Sequence, residues 1–178
     1  MSRRLAQGPE GSPERRDAAS VVAVVALGAN LGDRAATITA AIADLAALPL
    51  VEEVRASAPV ESVALTPEGP DADAPRYLNA VALVTTRLAP SVLLGYLHAI
   101  EERHGRERDG RRWADRTLDL DLITYGDLHS DDPRLTLPHP RAAERDFVLV
   151  PWLAVDPAAE LPGRGRVDDL LAELRGTA

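Results

Sequence analysis

The 178 residues contain no cysteine and no lysine, and aromatic side chains make up only 3% of them. Without cysteine there is neither a disulfide framework nor a thiolate metal site. That composition suits a reducing compartment, and the cytoplasm is the expected location. All twenty basic residues are arginine, so information lies in where they cluster rather than in their number. The net charge of -8 counts against a broad nucleic-acid-binding surface. The longest purely apolar run, Val21 to Leu27, is far too short to span a bilayer. Residues 1–19 mix Arg, Glu, Gly and Pro without periodicity and read as a disordered tail. Glu10, Glu14 and Asp17 argue against an organelle-targeting role for that tail. The remainder, 20–178, fits one domain with a substantial core. We expect a monomer with small-molecule partners, no nucleic acid and no membrane.

Val21 to Leu27, rich in β-branched residues, reads as a strand buried on both faces. The turn Gly28-Ala29-Asn30-Leu31-Gly32-Asp33 follows, with Asp33 placed to cap a helix carrying Ile38, Ile42 and Leu45 at helical spacing. Pro49 stops that helix, and Leu50 to Ser57 is a second strand. Ala58 to Pro75 has no hydrophobic period and holds Pro59, Pro67, Pro70 and Pro75, which predicts a long functional loop. Arg76 to Thr86 alternates as a third strand, with Leu78, Ala80, Ala82 and Val84 on one face and Tyr77 and Asn79 on the other. A second helix starts near Pro90, carries Leu93, Leu97 and Ile100, and ends at Gly105. Leu118 to Tyr125 is the fourth strand. There Leu118, Leu120 and Leu122 oppose Asp119 and Asp121.

This order, βαββαβ, predicts an α+β ferredoxin-like sandwich. Two helices would cover one face of an antiparallel sheet and leave the other open, with Tyr77, Asn79, Asp119 and Asp121 on the open face. A C-terminal extension follows. It comprises a turn near Asp131-Asp132-Pro133, the segment Leu135 to Pro140, an apolar run from Phe147 to Val155, and a terminal helix carrying Val167, Leu170, Leu171 and Leu174.

Between Arg103 and Arg116 stand six arginines against three acids, followed at once by Asp119-Leu120-Asp121. An isolated D-x-D strand would read more readily as a solvated polar face. Beside an arginine cluster, two carboxylates about 6–7 Å apart suit a polyphosphate that arrives with divalent metal. Phosphoryl transfer is largely positioning and charge neutralisation, which arginine forks and magnesium supply. His139, between two prolines, is either a rigidly held contact or an ordinary loop histidine. Tyr77, opposite its strand's apolar face, reads as a stacking platform for a flat ligand.

The motifs A-L-G-A-N-L-G-D, R-Y-L-N-A-V, I-E-x-x-x-G-R, R-W-x-x-R-T-L-D-L-D-L and L-P-H-P-R-x-x-x-R-x-F-V-L-x-P run in order from Val21 to about Pro157. Together they resemble the 6-hydroxymethyl-7,8-dihydropterin pyrophosphokinase family of folate biosynthesis. The resemblance implies transfer of pyrophosphate from ATP to the pterin hydroxymethyl group, with release of AMP. It implies that Asp119 and Asp121 hold two Mg2+ ions, and that Arg106 and Arg116 neutralise and position the phosphates. Arg108 and Arg112 would lie on a closing loop. His98, Glu101, Leu122, Thr136, His139 and Arg145 would contact the nucleotide. Tyr77 and Phe147 would sandwich the pterin, Asn79 would bond its edge, Trp113 would close over it, and Ser62 and Val63 would flank it. The chain departs from the family pattern at Ala114-Asp115, where Gly-Pro is common, and at Glu61-Ser62-Val63, where a Thr-Pro or Glu-Pro pattern is usual.

Overall fold

The computed structural model describes residues 19–66, 69–71, 73–105 and 117–176. Of the tail expected over 1–19, only Ala19 is among them. The molecule is built on an antiparallel sheet with the strand order β2-β6-β1-β7. Its strands are β1 (Val21–Ala29), β2 (Val51–Ala56), β6 (Tyr77–Thr86) and β7 (Asp119–Tyr125), with β3 (Val60–Ser62) added on the β2 side of β6. The central strands are β1, which reads as continuously apolar and so as covered on both faces, and β6, which reads as alternating. Register runs from Val21↔Thr86 to Ala29↔Leu78 between β1 and β6.

Two helices connect these strands. In α1 (Arg34–Ala46) the Asp33 side chain caps the first turn, accepting from the Ala36 amide at 3.0 Å. In α2 (Pro90–Arg103) proline occupies the first turn, where its missing N–H is no loss. Gly105, at φ 83°, takes the left-handed conformation that ends this helix, a position where a Cβ would be strained. Both helices pack on one sheet face. Leu27, Ile38, Leu45, Leu93, Leu97, Ile100, Leu118 and Leu120 are buried between them.

The second face is not open as the βαββαβ pattern suggested. Helices α3 (Asp146–Val155) and α4 (Val167–Gly176) cover half of it and close a second core over Val24, Val81, Leu83 and Ile123. Trp152, Leu149, Val148 and Val167 come from the covering side. The physical reason is visible in the strands themselves. Four large aliphatic side chains left in water would forgo on the order of 6–12 kcal/mol, at about 1.5–3 kcal/mol each. The apolar run after Phe147 is therefore a lid on the sheet and not an appendage.

The register of β7 against β1 shifts between Val24 and Val25, so that Leu122 faces Val25 and Thr124 faces Val24. The extra residue, Ile123, drops into the second core, and Tyr125 turns back to the first, where its hydroxyl donates to the Leu88 carbonyl at 2.6 Å.

The expected loop over Ala58–Pro75 holds three short strands. Besides β3, β4 (Ala64–Thr66) and β5 (Gly69–Asp71) pair as a small hairpin. Three-residue strands are too short for a period of two to register. Further on, β8 (Ser130–Asp132) and β9 (Leu135–Leu137) form a hairpin around the expected turn, and the Leu137–Pro138 peptide is cis. β10 (Glu160–Leu161) and β11 (Gly165–Arg166) close the turn before α4. Among the described residues no helix is long and apolar enough to cross a membrane.

Candidate active site

Strand period two and the registers of β1 place Asn79, Gly28 and Asp119 in one row across three neighbouring strands. Val81, Ala26 and Asp121 form the next row, and Leu83 and Val24 lead into the second core. Asn79 and Asp119 are thus two strand spacings apart, roughly 10 Å. Gly28 keeps the floor between them low. A Cβ there would stand 3.4 Å from the Asn79 carboxamide oxygen and 3.9 Å from the Tyr77 ring.

Tyr77, Asn79, Asp119 and Asp121 share this face, as the alternation of β6 and β7 predicted. Asn79 is buried and donates through Nδ2 to the Ser62 hydroxyl at 2.8 Å. That bond brings the Ser62-Val63 segment to the Asn79 end of the row, because β3 pairs Ser62 with Tyr77 and Val60 with Asn79.

At the other end, Asp121 receives the Arg145 guanidinium at 3.0 Å. Arg145 also stands over the Phe147 ring, 5.7 Å from its centroid, within cation–π range. The His139 amide donates to the Ile123 carbonyl at 2.8 Å, which fastens the Pro-His-Pro segment to β7. The His139 Nδ1 accepts from the Arg141 amide at 3.2 Å. Burial lowers the His139 pKa, the Arg145 and Arg141 charges add to the lowering, and the Asp121 and Asp119 carboxylates partly oppose it. At neutral pH the ring is therefore uncharged, with its proton on Nε2.

Beside Asp121 opens a cleft of about 280 Å³. His98, Glu101, Leu122, Thr136 and His139 all line it, along with Asp121. Five nucleotide candidates scattered over some forty positions of sequence thus meet at one cavity. Glu101 is fully buried, and its Oε1 accepts from the Leu120 amide at 2.8 Å. Its carboxylate grips β7 at the residue between the two aspartates. Arg106, Arg108, Arg111, Arg112, Trp113 and Arg116 lie outside the described residues. Gly105 and Thr117, which flank that segment, are neighbours: a Cβ on Gly105 would stand 3.8 Å from the Thr117 hydroxyl. The segment therefore leaves and re-enters the fold at one point, next to Asp119.

Among the described residues no group of three or more His, Cys, Asp or Glu side chains could hold a metal ion. The two carboxylates of β7 are too few for an all-protein cage. They do match the habit of magnesium, which takes one or two carboxylates and completes its shell with phosphate oxygens and water. The donor set fits a cation that arrives with a nucleotide.

One contributor escaped the sequence reading. Arg34, the first residue of α1, donates to the Arg76 carbonyl at 2.7 Å and to Glu61 at 3.0 Å. It thereby clamps the two chain segments that carry Ser62 and Tyr77. An arginine opening a helix gives no sequence signal of this; only the pairing of β3 with β6 does.

Residues 24–157 match the model of the 7,8-dihydro-6-hydroxymethylpterin-pyrophosphokinase (HPPK) family. A 2-amino-4-hydroxy-6-hydroxymethyldihydropteridine pyrophosphokinase of Pseudomonas aeruginosa is 43% identical over 148 residues, covering 83% of this chain and 88% of its own length. The Synechocystis enzyme of the same name is 42% identical over 144 residues, covering 81% and 71%. The chain belongs to this family. A folate synthesis bifunctional protein of Arabidopsis thaliana is 38% identical over 129 residues, which are 72% of this chain and 25% of that protein. Among solved structures, wild-type Plasmodium falciparum HPPK-DHPS superposes with a TM-score of 0.64 at 13% identity, over 89% of this chain. A variant of the same protein gives 0.63 at 13%. The chain spans 42% and 45% of those two structures, and at such identity the likeness concerns the fold. All the family motifs except the Arg106–Arg116 portion thus fall on elements described above.

Proposed function

We propose that the chain carries out the family's reaction, moving the pyrophosphoryl group of ATP to the hydroxymethyl oxygen of 6-hydroxymethyl-7,8-dihydropterin and releasing AMP. One observation carries this reading. A cleft opens at the β7 edge beside Asp121, lined from the helix side by His98, Glu101 and Leu122, while the Asn79–Ser62 pair beside Tyr77 stands across the sheet face from Asp119.

The substrate oxygen attacks the β-phosphorus, the bond from that phosphorus to the α-phosphate oxygen breaks, and AMP leaves with the electron pair. His98, Thr136, His139 and Leu122 hold the nucleotide at the cleft, with the uncharged His139 offering an Nε2–H donor. Glu101 acts one step back, by holding β7 straight under the phosphates. Tyr77 and Phe147 sandwich the pterin ring. Asn79 presents its amide edge to the ring, and Ser62 fixes which way that amide points. Ser62 and Val63 wall the pocket.

Asp119 and Asp121 would hold two Mg2+ ions, which supply neutralisation of the phosphate oxygens and acidification of the attacking hydroxyl. Arg106 and Arg116 neutralise and orient the phosphates, Arg108 and Arg112 cover the nucleotide, and Trp113 closes over the pterin. The separation of roughly 10 Å between Asn79 and Asp119 suits a bicyclic ring whose side arm reaches the phosphates.

The strand order β2-β6-β1-β7, with both crossover helices on one face, supports the finer description of the fold as a ferredoxin-like sandwich with a C-terminal extension. The two cores share one sheet, which supports reading 20–178 as one domain. We also take the protein to be a cytoplasmic monomer that binds neither nucleic acid nor membrane.

The test is incubation with MgATP and the pterin, followed by separation of the nucleotides. AMP in equal amount to pterin diphosphate is expected; ADP without AMP would overturn the assignment.

A further inference from the structure

We infer that, in the protein without nucleotide, Arg145 occupies Asp121 in the manner of a stand-in for the divalent cation, so that metal and nucleotide each favour the other's binding. The inference rests on the reading of Asp121 as a metal ligand. Asp121 and Arg145 are both largely withdrawn from solvent, with side-chain exposures of 34% and 19%. A carboxylate held in a cleft without a counter-charge is costly, and among the described residues this guanidinium supplies one at 3.0 Å.

The placement is not a by-product of helix capping. Arg145 is the N-cap residue of α3, yet its side chain makes no capping hydrogen bond. Its carbonyl does that work, accepting from the amides of Val148 at 2.9 Å and Leu149 at 3.0 Å. The guanidinium is steadied instead by the Phe147 ring and by Asp121. It is thus set between the proposed metal centre and the proposed pterin platform, in contact with both.

A cation approaching Asp121 alone must either strip away Arg145 or share the carboxylate with it against charge repulsion. A polyphosphate changes the balance, because phosphate oxygens offer the guanidinium fork an equally good partner. Asp121 is then released to the metal. Linkage makes the effect reciprocal: whatever factor the nucleotide adds to metal affinity, the metal adds to nucleotide affinity. Arg145 is in this sense a positioning residue that guards against futile metal loading.

The experiment titrates the full chain with Mn2+ and follows free Mn2+ by electron paramagnetic resonance, with and without α,β-methylene-ATP, whose α–β bridge cannot be cleaved. Wild type, Arg145→Ala, Arg145→Lys and Asp121→Ala are compared, and thermal unfolding checks that each variant is folded. Arg145→Ala is expected to bind Mn2+ alone about two- to fivefold more tightly than wild type, the size of a partly exposed ion pair. Its enhancement by the nucleotide should shrink by at least the same factor, and Arg145→Lys should retain most of the coupling. Unchanged or weaker binding of Mn2+ alone by Arg145→Ala would overturn the inference while leaving Asp121 a ligand. If Asp121→Ala binds Mn2+ with the nucleotide as well as wild type does, the metal reading itself fails and takes the inference with it.

Discussion

Two halves of one sheet face, made by the same three strands, do opposite jobs. In one half Leu83, Val24 and Ile123 lie under α3 and α4, sealed from water. Two to four residues further along the same strands stand Asn79, Gly28, Asp119 and Asp121. The lesson is that the half carrying the proposed site is held in place because the other half is buried. β7 cannot move its aspartates without dragging Ile123 out of a packed core. The carboxylates gain the precision of an interior strand while remaining accessible to a ligand.

Substituting Asp119 or Asp121 should break that comparison most severely. Asp119→Ala and Asp121→Ala are each expected to lower turnover by about a thousandfold or more, as for loss of a charge-stabilising group. Circular dichroism should be unchanged, because neither residue supports a core. A fully active single variant would remove the metal assignment.

The converse substitution lies on the same strand. Ile123→Ala should cost about 2–5 kcal/mol in chemical denaturation, since a buried aliphatic is lost with little room to collapse. Turnover per folded molecule, measured well below the melting temperature, should stay within a few-fold of wild type. A collapse of turnover without loss of stability would mean that the halves are not separable.

How far the sequence foretold this difference varies with the residue. Asp119 and Asp121 were readable because alternation over the five residues Leu118 to Leu122 leaves no choice of face. The half-cover was not. Val24, Val81, Leu83 and Ile123 were apolar on the face expected to be open, yet periodicity cannot say what packs there, because the covering helices start only at Asp146 and Val167, well beyond β7. The bulge at Ile123 escaped for a related reason, since a register shift belongs to the pair of strands and not to β7 alone. His98, Glu101, Thr136 and His139 could be listed from motifs, but their meeting at one cleft is a tertiary fact. Arg34 carried no signal at all.

Arg34 gives the next smaller effect. Arg34→Ala should raise the KM for the pterin about threefold with kcat and the KM for ATP nearly unchanged, since the clamp joins only the Glu61 and Arg76 segments and is partly exposed. Arg34→Lys should recover part of the loss. A matching rise in the KM for ATP would place the clamp in general stability instead.

The smallest expected effect separates the two regions by pH. His139, at the site, has its pKa lowered below the ordinary 6.5, chiefly by burial. The unfolded chain then binds the proton more readily, so the stabilising contribution is complete above 6.5 and is lost as pH falls through the folded value. Asp168, at the start of α4, is also lowered, from 3.8, but here the cause is the Arg166 hydrogen bond at 2.7–2.9 Å and its charge. Its contribution is complete above 3.8 and lost only as pH falls through a value lower still. Denaturation midpoints followed downward from pH 7.5 should therefore show His139→Gln parting from the wild-type slope first, and Asp168→Asn only in strong acid. Coincident breaks in both variants would mean that the site and the covering helices titrate as one unit. Separate breaks would show that the polar half of the face responds to protons on its own, while the buried half holds it in place.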